Sequence, residues 1–457
     1  MSHFNRFFAV SMFVAAVLVT ASPTSAQSPE QKAAASAFID ALIARNFVVL
    51  QSLAHQSMHE KITPEQWKAL IDNLESKAGS VVRHSFYEAE MNRSYANIVH
   101  RIYFQKDSIG VRVVVDSLNF VGGFWLDPIK KVYLFPAPPY ADTTAFYEEN
   151  VSLADEFPLP AVISVPKGSG PFPAVVLVHG SGPQDRDQTI GGNKVFRDIA
   201  WGLASRGVMV LRYDKRTKVH GPKMNLLTLT IKEETIDDAI MALAVLRKHK
   251  LTDTTRLMLL GHSLGAAVAP EIATMATGVK GVIMLAPIAR PLEVVISDQL
   301  RFIAAQQDTL SEQESVKLHA ELQKATQIQE KTLPEKRQLL GAPASYYYDL
   351  QKRDQKAFAL GLHRPIFIAR GEKDYQAPQM ELVLWKQWLQ GVSDVTFKTY
   401  PNCYHIFIPT DAKPGPWNYS MEGHVTVSLI EDLGTWCKTF SLPSSGEPPA
   451  DLEYKVR

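Results

Sequence analysis

The run Arg256-Leu257-Met258-Leu259-Leu260-Gly261-His262-Ser263-Leu264-Gly265 constrains this chain more than any other stretch. Its apolar first half is the kind of segment that fills a buried strand. Gly-x-Ser-x-Gly follows, and then a stretch rich in small residues that reads as a helix. A strand that turns sharply into a helix needs positions without a Cβ, and Gly261 and Gly265 supply them. Such a turn lifts the Ser263 hydroxyl above the end of the strand. The helix N-terminus behind it favours developing negative charge. Ser263 is therefore the candidate nucleophile.

A serine hydroxyl needs a base to take its proton, and the base needs a carboxylate to orient it. Ile366 to Arg370 is a second buried apolar run, and it ends in Gly371-Glu372-Lys373-Asp374. Asp374, in the loop past the strand end, is the acid candidate, with Glu372 as competitor. Val395 to Tyr400 predicts another strand, followed by Pro401-Asn402-Cys403-Tyr404-His405. His405 is the base candidate. His424 is the rival, placed within or at the start of the last predicted helix. His262 lies inside the serine motif and is expected to point away from the substrate.

Two backbone N–H groups must face the oxygen of a tetrahedral intermediate. Leu264 follows the nucleophile directly. The second donor is expected from His179-Gly180-Ser181-Gly182-Pro183, the turn after the apolar run Ala174 to Val178. Ser181 N–H is preferred there and Gly182 is the alternative. The charged runs Asp185-Arg186-Asp187 and Arg212-Tyr213-Asp214-Lys215-Arg216 also follow strand ends. They are expected to form ion pairs that brace this turn, with no part in the chemistry.

The chain has 457 residues, too many for one ordinary core. Lys plus Arg number 48 and Asp plus Glu 47, so nothing favours nucleic acid or an acidic membrane surface as partner. Arg6, the apolar run Phe7 to Thr20 and Thr24-Ser25-Ala26 predict a signal peptide over 1–26 and export to the periplasm or beyond. No membrane span is expected after cleavage. Residues 27–138 predict a small α+β domain: helices to about residue 79, then strands from Val81 to Tyr133. Pro136-Ala137-Pro138-Pro139 reads as a linker. From 145 to 440 strands alternate with helices, which predicts a doubly wound, mostly parallel α/β sheet. An insertion over 290–363 is helical and charged with no strand signal, and 441–457 reads as a loose tail. The two cysteines, Cys403 and Cys437, are too few and too distant in sequence to define a disulfide framework. No zinc-type Cys/His spacing and no phosphate-binding loop occurs, so no metal or cofactor is implied.

These segments resemble the α/β-hydrolase superfamily over about 145–440. More narrowly, His-Gly-Ser-Gly-Pro with Asp185-Arg186-Asp187, the Arg212 to Arg216 run, Gly-His-Ser-Leu-Gly and Ala289-Arg290-Pro291-Leu292 are similar to exported bacterial two-domain esterases. Those carry a first domain like nuclear transport factor 2. The resemblance implies a serine carboxylesterase acting on short acyl esters without a cofactor, with the 290–363 insertion as a cap over the site. It departs at Thr217, where the family has glycine after the arginine. In such a cap Tyr346, Tyr347 and Tyr348 would narrow the substrate pocket and offer hydroxyls to the ester, or else seal the cap to the main domain. A serine aminopeptidase of the prolyl-aminopeptidase kind is the alternative activity.

Overall fold

The structure, a computed structural model, describes residues 28–440 apart from 60, 93–94, 106, 128–132, 154–156 and 307–311. The expected signal peptide and the tail therefore lie outside the described residues. The chain divides between residues 132 and 133 into two compact units.

The smaller unit opens with helices α1 (Pro29–Ile43), α2 (Phe47–Leu53), α3 (Gln56–His59) and α4 (Pro64–Ala78). Reciprocal capping boxes start two of them, Ser28 with Gln31 and Thr63 with Gln66, each followed by proline at the first helical turn. Strands β1 (Val81–Asn92), β2 (Tyr95–Phe104), β3 (Ser108–Val115) and β4 (Val121–Asp127) make an antiparallel meander. Its alternate residues Ala96, Ile98 and Ile102 share a core with Phe38, Ile39, Leu42 and Trp67.

The larger unit is built on an eight-stranded mixed sheet in the order β5-β6-β10-β7-β11-β12-β15-β16. In chain order it contains β5 (Phe146–Leu153), β6 (Leu159–Pro166), β7 (Phe172–Val178), the short β8 (Thr189–Ile190) and β9 (Asn193–Lys194), then α5 (Val195–Ala204). Next come β10 (Met209–Tyr213), α6 (Arg216–His220), a π-helical turn over Lys232–Ile236, α7 (Asp237–Lys248) and β11 (Thr252–His262). α8 (Leu264–Met275) and β12 (Gly281–Leu285) lead into the insertion, which holds α9 (Leu292–Ala305), α10 (Glu312–Gln329), β13 (Gln338–Leu339), β14 (Ala342–Pro343), α11 (Ala344–Gln351) and α12 (Gln355–Leu360). β15 (Ile366–Gly371), α13 (Gln379–Trp388), β16 (Val395–Tyr400) and α14 (Val427–Thr439) complete it.

From β10 to β16 through β7 every pairing is parallel, while β6 runs antiparallel to both β5 and β10. The continuous apolar strands β7, β11, β12 and β15 are buried throughout their cores, as a sheet covered on both faces requires. The chain passes from β7 to β10 on one side and returns to β11 on the other. This puts a topological switch point between the carboxyl ends of β7 and β11, where α/β sheets build sites.

Two expectations for the insertion need correction. It contains the β13–β14 hairpin, whose two-residue strands are too short to leave a periodic signal. Its last helix, α12, belongs to the main fold: Ala359 and Leu362 join the sheet's core. The cap proper has its own core of Ile296, Leu300, Leu318, Ile328, Leu339 and Tyr347. The last helix also starts later than expected, at Val427, after a 3-10 turn at Pro416–Ser420.

Candidate active site

The serine turn explains its own glycines. A Cβ on Gly261 would lie 2.2 Å from the Gly265 carbonyl oxygen, and one on Gly265 would lie 2.4 Å from His179 O. Only glycine allows β11, the first turn of α8 and the end of β7 to approach so closely. Ser263 adopts φ 56° and ψ −118°, and its N–H donates to Leu285 O at 2.8 Å. Its side chain stands at the carboxyl end of the sheet, half-buried.

Asp374 and His405, drawn from the ends of β15 and β16, meet here. His405 Nδ1 donates to Asp374 Oδ2 at 2.8 Å in a buried pair. The other carboxylate oxygen accepts the N–H groups of Gln376 at 2.8 Å and Ala377 at 2.9 Å. Both of its oxygens are thus committed, which fixes the imidazole. His405 is set against the serine turn through its neighbour: His262 Nε2 donates to His405 O at 3.0 Å, with the two rings 4.8 Å apart. His262 Nδ1 accepts from Gln188 Nε2 at 3.0 Å, so its ring is used on both sides. Burial, and then the facing His405, push the His262 pKa down to about 3.

The rivals lie elsewhere. His424 precedes the last helix, and its Nδ1 is 3.0 Å from Asp198 Oδ2 on α5. Glu372 accepts the Asn402 N–H at 3.1 Å. Arg370 was not singled out by sequence reasoning. Its guanidinium donates to the carbonyls of Ala377, Glu372 and Asp374 and clamps the acid loop. An arginine ending an apolar strand beside the acid was the available signal.

Gly180 lies against the nucleophile: a Cβ there would be 3.2 Å from Ser263 Cβ. This brings Ser181 and Leu264, the two expected oxyanion donors, to the same strand ends. Gly182 has φ 83° and makes the turn. The charged runs pair behind it. Arg186 binds Asp214, Arg212 reaches both Asp187 and Glu148, Lys194 also holds Asp187, and Arg216 pairs with Asp238.

The tyrosines do not offer free hydroxyls to a substrate. Tyr346 OH donates to Glu234 Oε2 at 2.6 Å, Tyr347 OH to Leu339 O at 3.0 Å and Tyr348 OH to Leu333 O at 2.6 Å. Each hydroxyl is committed to a protein acceptor. A cavity of about 430 Å³ lies instead on the acid side, lined by Arg290, Asp298, Phe302, Lys373 and Tyr375 among others. Phe302 of the cap stacks on Tyr375, with ring centroids 5.1 Å apart. Arg290 ties the start of the cap to Glu381 and Asp298.

Cys403 and Cys437 are both free and buried, and burial pushes each thiol up to about 12. Among the described residues no group of His, Cys, Asp and Glu could hold a metal ion, and no helix is long and apolar enough to cross a membrane.

Residues 171–411 match the serine aminopeptidase S33 family. Over 399 residues the chain is 35% identical to Esterase EstD of Thermotoga maritima, spanning 87% of this chain and 93% of that protein. Among solved structures, Est1E from Butyrivibrio proteoclasticus is similar at 14% identity and a TM-score of 0.42, covering 63% of this chain and 98% of its own. An esterase from Pyrococcus furiosus is similar at 16% identity and a TM-score of 0.41, covering 67% of this chain and 100% of its own.

Proposed function

The chain belongs to the serine aminopeptidase S33 family of hydrolases, and on that footing we propose that it hydrolyses short-chain carboxylic esters through an acyl-enzyme on Ser263. The observation that carries the proposal is the buried His405–Asp374 pair at 2.8 Å, placed beside the positive-φ turn that presents Ser263. With Nδ1–H held by the carboxylate, His405 Nε2 is the basic nitrogen. It takes the Ser263 proton as Oγ attacks the ester carbonyl. The N–H groups of Leu264 and Ser181 receive the negative oxygen. The intermediate collapses, the alcohol leaves with the proton from His405, and water activated by the same histidine releases the acid.

Ester rather than peptide chemistry is favoured by the relative at 35% identity, which is an esterase. Of the carboxylates a peptidase could use for the substrate's amine, Glu381 and Asp298 are already bound by Arg290, and Glu234 by Lys215. Short acyl groups are what the esterase resemblance implies, and the chain-length series below tests it.

The test is turnover on a panel of aryl esters against aminoacyl anilides. Ester hydrolysis should dominate and be greatest from acetyl to butyryl. Ser263→Ala and His405→Ala should each lower kcat on the order of 10⁴-fold or more, with the double variant no worse than either. Asp374→Asn should cost less. An inactive His424→Ala beside an active His405→Ala would reverse the assignment of the base, and preferential anilide cleavage would replace ester by peptide chemistry.

A further inference from the structure

Lys215 is 1% exposed, in a unit where most lysines reach water. Burying an ammonium costs several kcal/mol unless partners replace its water. Here Nζ donates to Gly180 O at 2.9 Å and lies 3.1 Å from Glu234 Oε1. The other oxygen of Glu234 accepts the Tyr346 hydroxyl at 2.6 Å. Glu234 sits in the π-helical turn Lys232–Ile236, a widened geometry that often marks functional positions. Tyr346 sits on α11 of the insertion. One continuous run of buried polar contacts therefore joins the insertion to Gly180, which stands against Ser263.

The peptide that Lys215 grips is the informative one. Gly180 O and Ser181 N–H belong to the same planar peptide unit, and in a trans peptide they point in opposite directions. Holding the oxygen from behind fixes where the N–H points in front. A cation on the carbonyl also polarises the unit and strengthens the N–H as a donor. We propose that Lys215, Glu234 and Tyr346 are positioning residues for the oxyanion hole, and that they tie the Ser181 N–H to the seating of helix α11. The proposal rests on the ester-hydrolase reading and on the role given there to Ser181.

It is tested with 4-nitrophenyl acetate and with an alkyl trifluoromethyl ketone, a probe that adds reversibly to a serine hydroxyl and places an oxyanion in the hole. Tyr346→Phe keeps the ring and removes only the hydroxyl. It should lower kcat about tenfold, the scale of one hydrogen bond to a charged group. Lys215→Met should lower kcat about 100-fold, the scale of a lost oxyanion donor. In both, KM should hold within about twofold, and the ketone's inhibition constant should rise by the factor that kcat falls. Tyr346→Phe should have no further effect in a Lys215→Met, Glu234→Gln background, where the run is already cut. That neutral double variant also serves if Lys215→Met alone does not fold. Variants that lose melting temperature but keep kcat and ketone affinity would overturn the proposal, leaving the three residues a purely structural role. A wild-type chain inert to both ester and ketone would instead refute the ester-hydrolase reading, and the inference with it.

Discussion

Ser263 holds a backbone conformation that costs a residue with a Cβ on the order of 1–3 kcal/mol. The surrounding contacts impose it: two glycines without room for a methyl group, and a Ser263 N–H tied to β12. The residues beside it are kept neutral by burial. His262 is depressed to about 3, and His179 also to about 3, there by burial and then by the Lys215 ammonium. The unfolded chain protonates these rings below about pH 6.5, while the fold refuses the proton down to about 3. Their contribution to stability is thus present above about pH 6.5 and is lost as pH falls through that window. Each ring adds about 1.4 kcal/mol per pH unit to the slope. His262→Asn should therefore remove about one proton from the pH dependence of unfolding free energy between about pH 6 and pH 5. Denaturant titrations across that range read it directly, and an unchanged slope would mean that His262 titrates normally in the fold.

At the scale of elements, the cap is a small packed body in which the Tyr347 and Tyr348 hydroxyls are tied to backbone of the insertion itself. Tyr347 and Tyr348 donate to Leu339 O and Leu333 O within the insertion, so they brace the β13–β14 hairpin and the turn before it. Tyr348→Phe should cost about 1 kcal/mol of stability and leave the acyl-length optimum where it is. A shift of that optimum toward longer esters would return Tyr348 to the pocket wall. The tyrosines show where sequence reasoning stops: a hydroxyl's partner is chosen by packing between segments, as Tyr346 and Glu234 demonstrate across 112 residues. Continuous apolar strands were legible because burial on both faces needs nothing from elsewhere, and β7, β11 and β15 fall at or within a few residues of their expected places. The edge strand β5, Phe-Tyr-Glu-Glu-Asn-Val-Ser-Leu, was not, because exposure on one side lets polar residues break the pattern. The pairing of Asp374 with His405 could be expected because strand-end loops are where α/β sheets bring such groups together. The brace formed by Arg370 and the carbonyls it binds could not, since backbone acceptors leave no mark in a sequence.

Across the whole molecule, the two compact units have separate cores with no residue in common, and every group proposed for the chemistry belongs to the larger unit, which is built around the sheet's core. Both cysteines of the chain lie in that same core. Only the thiolate attacks a disulfide reagent, and a buried thiol pushed to about 12 offers almost none. The native protein should therefore be silent to such a reagent at about pH 8, and show both thiols once unfolded in guanidinium. A fast-reacting thiol in the native state would contradict that burial. The silence makes the chain its own stopwatch. Thiol appearance under native conditions times the opening of the larger unit and ignores the smaller, which has no cysteine. It also leaves a clean background for labelling: Val316→Cys, on the exposed side of α10, would be the one quick thiol, and a dye placed there would follow the cap alone.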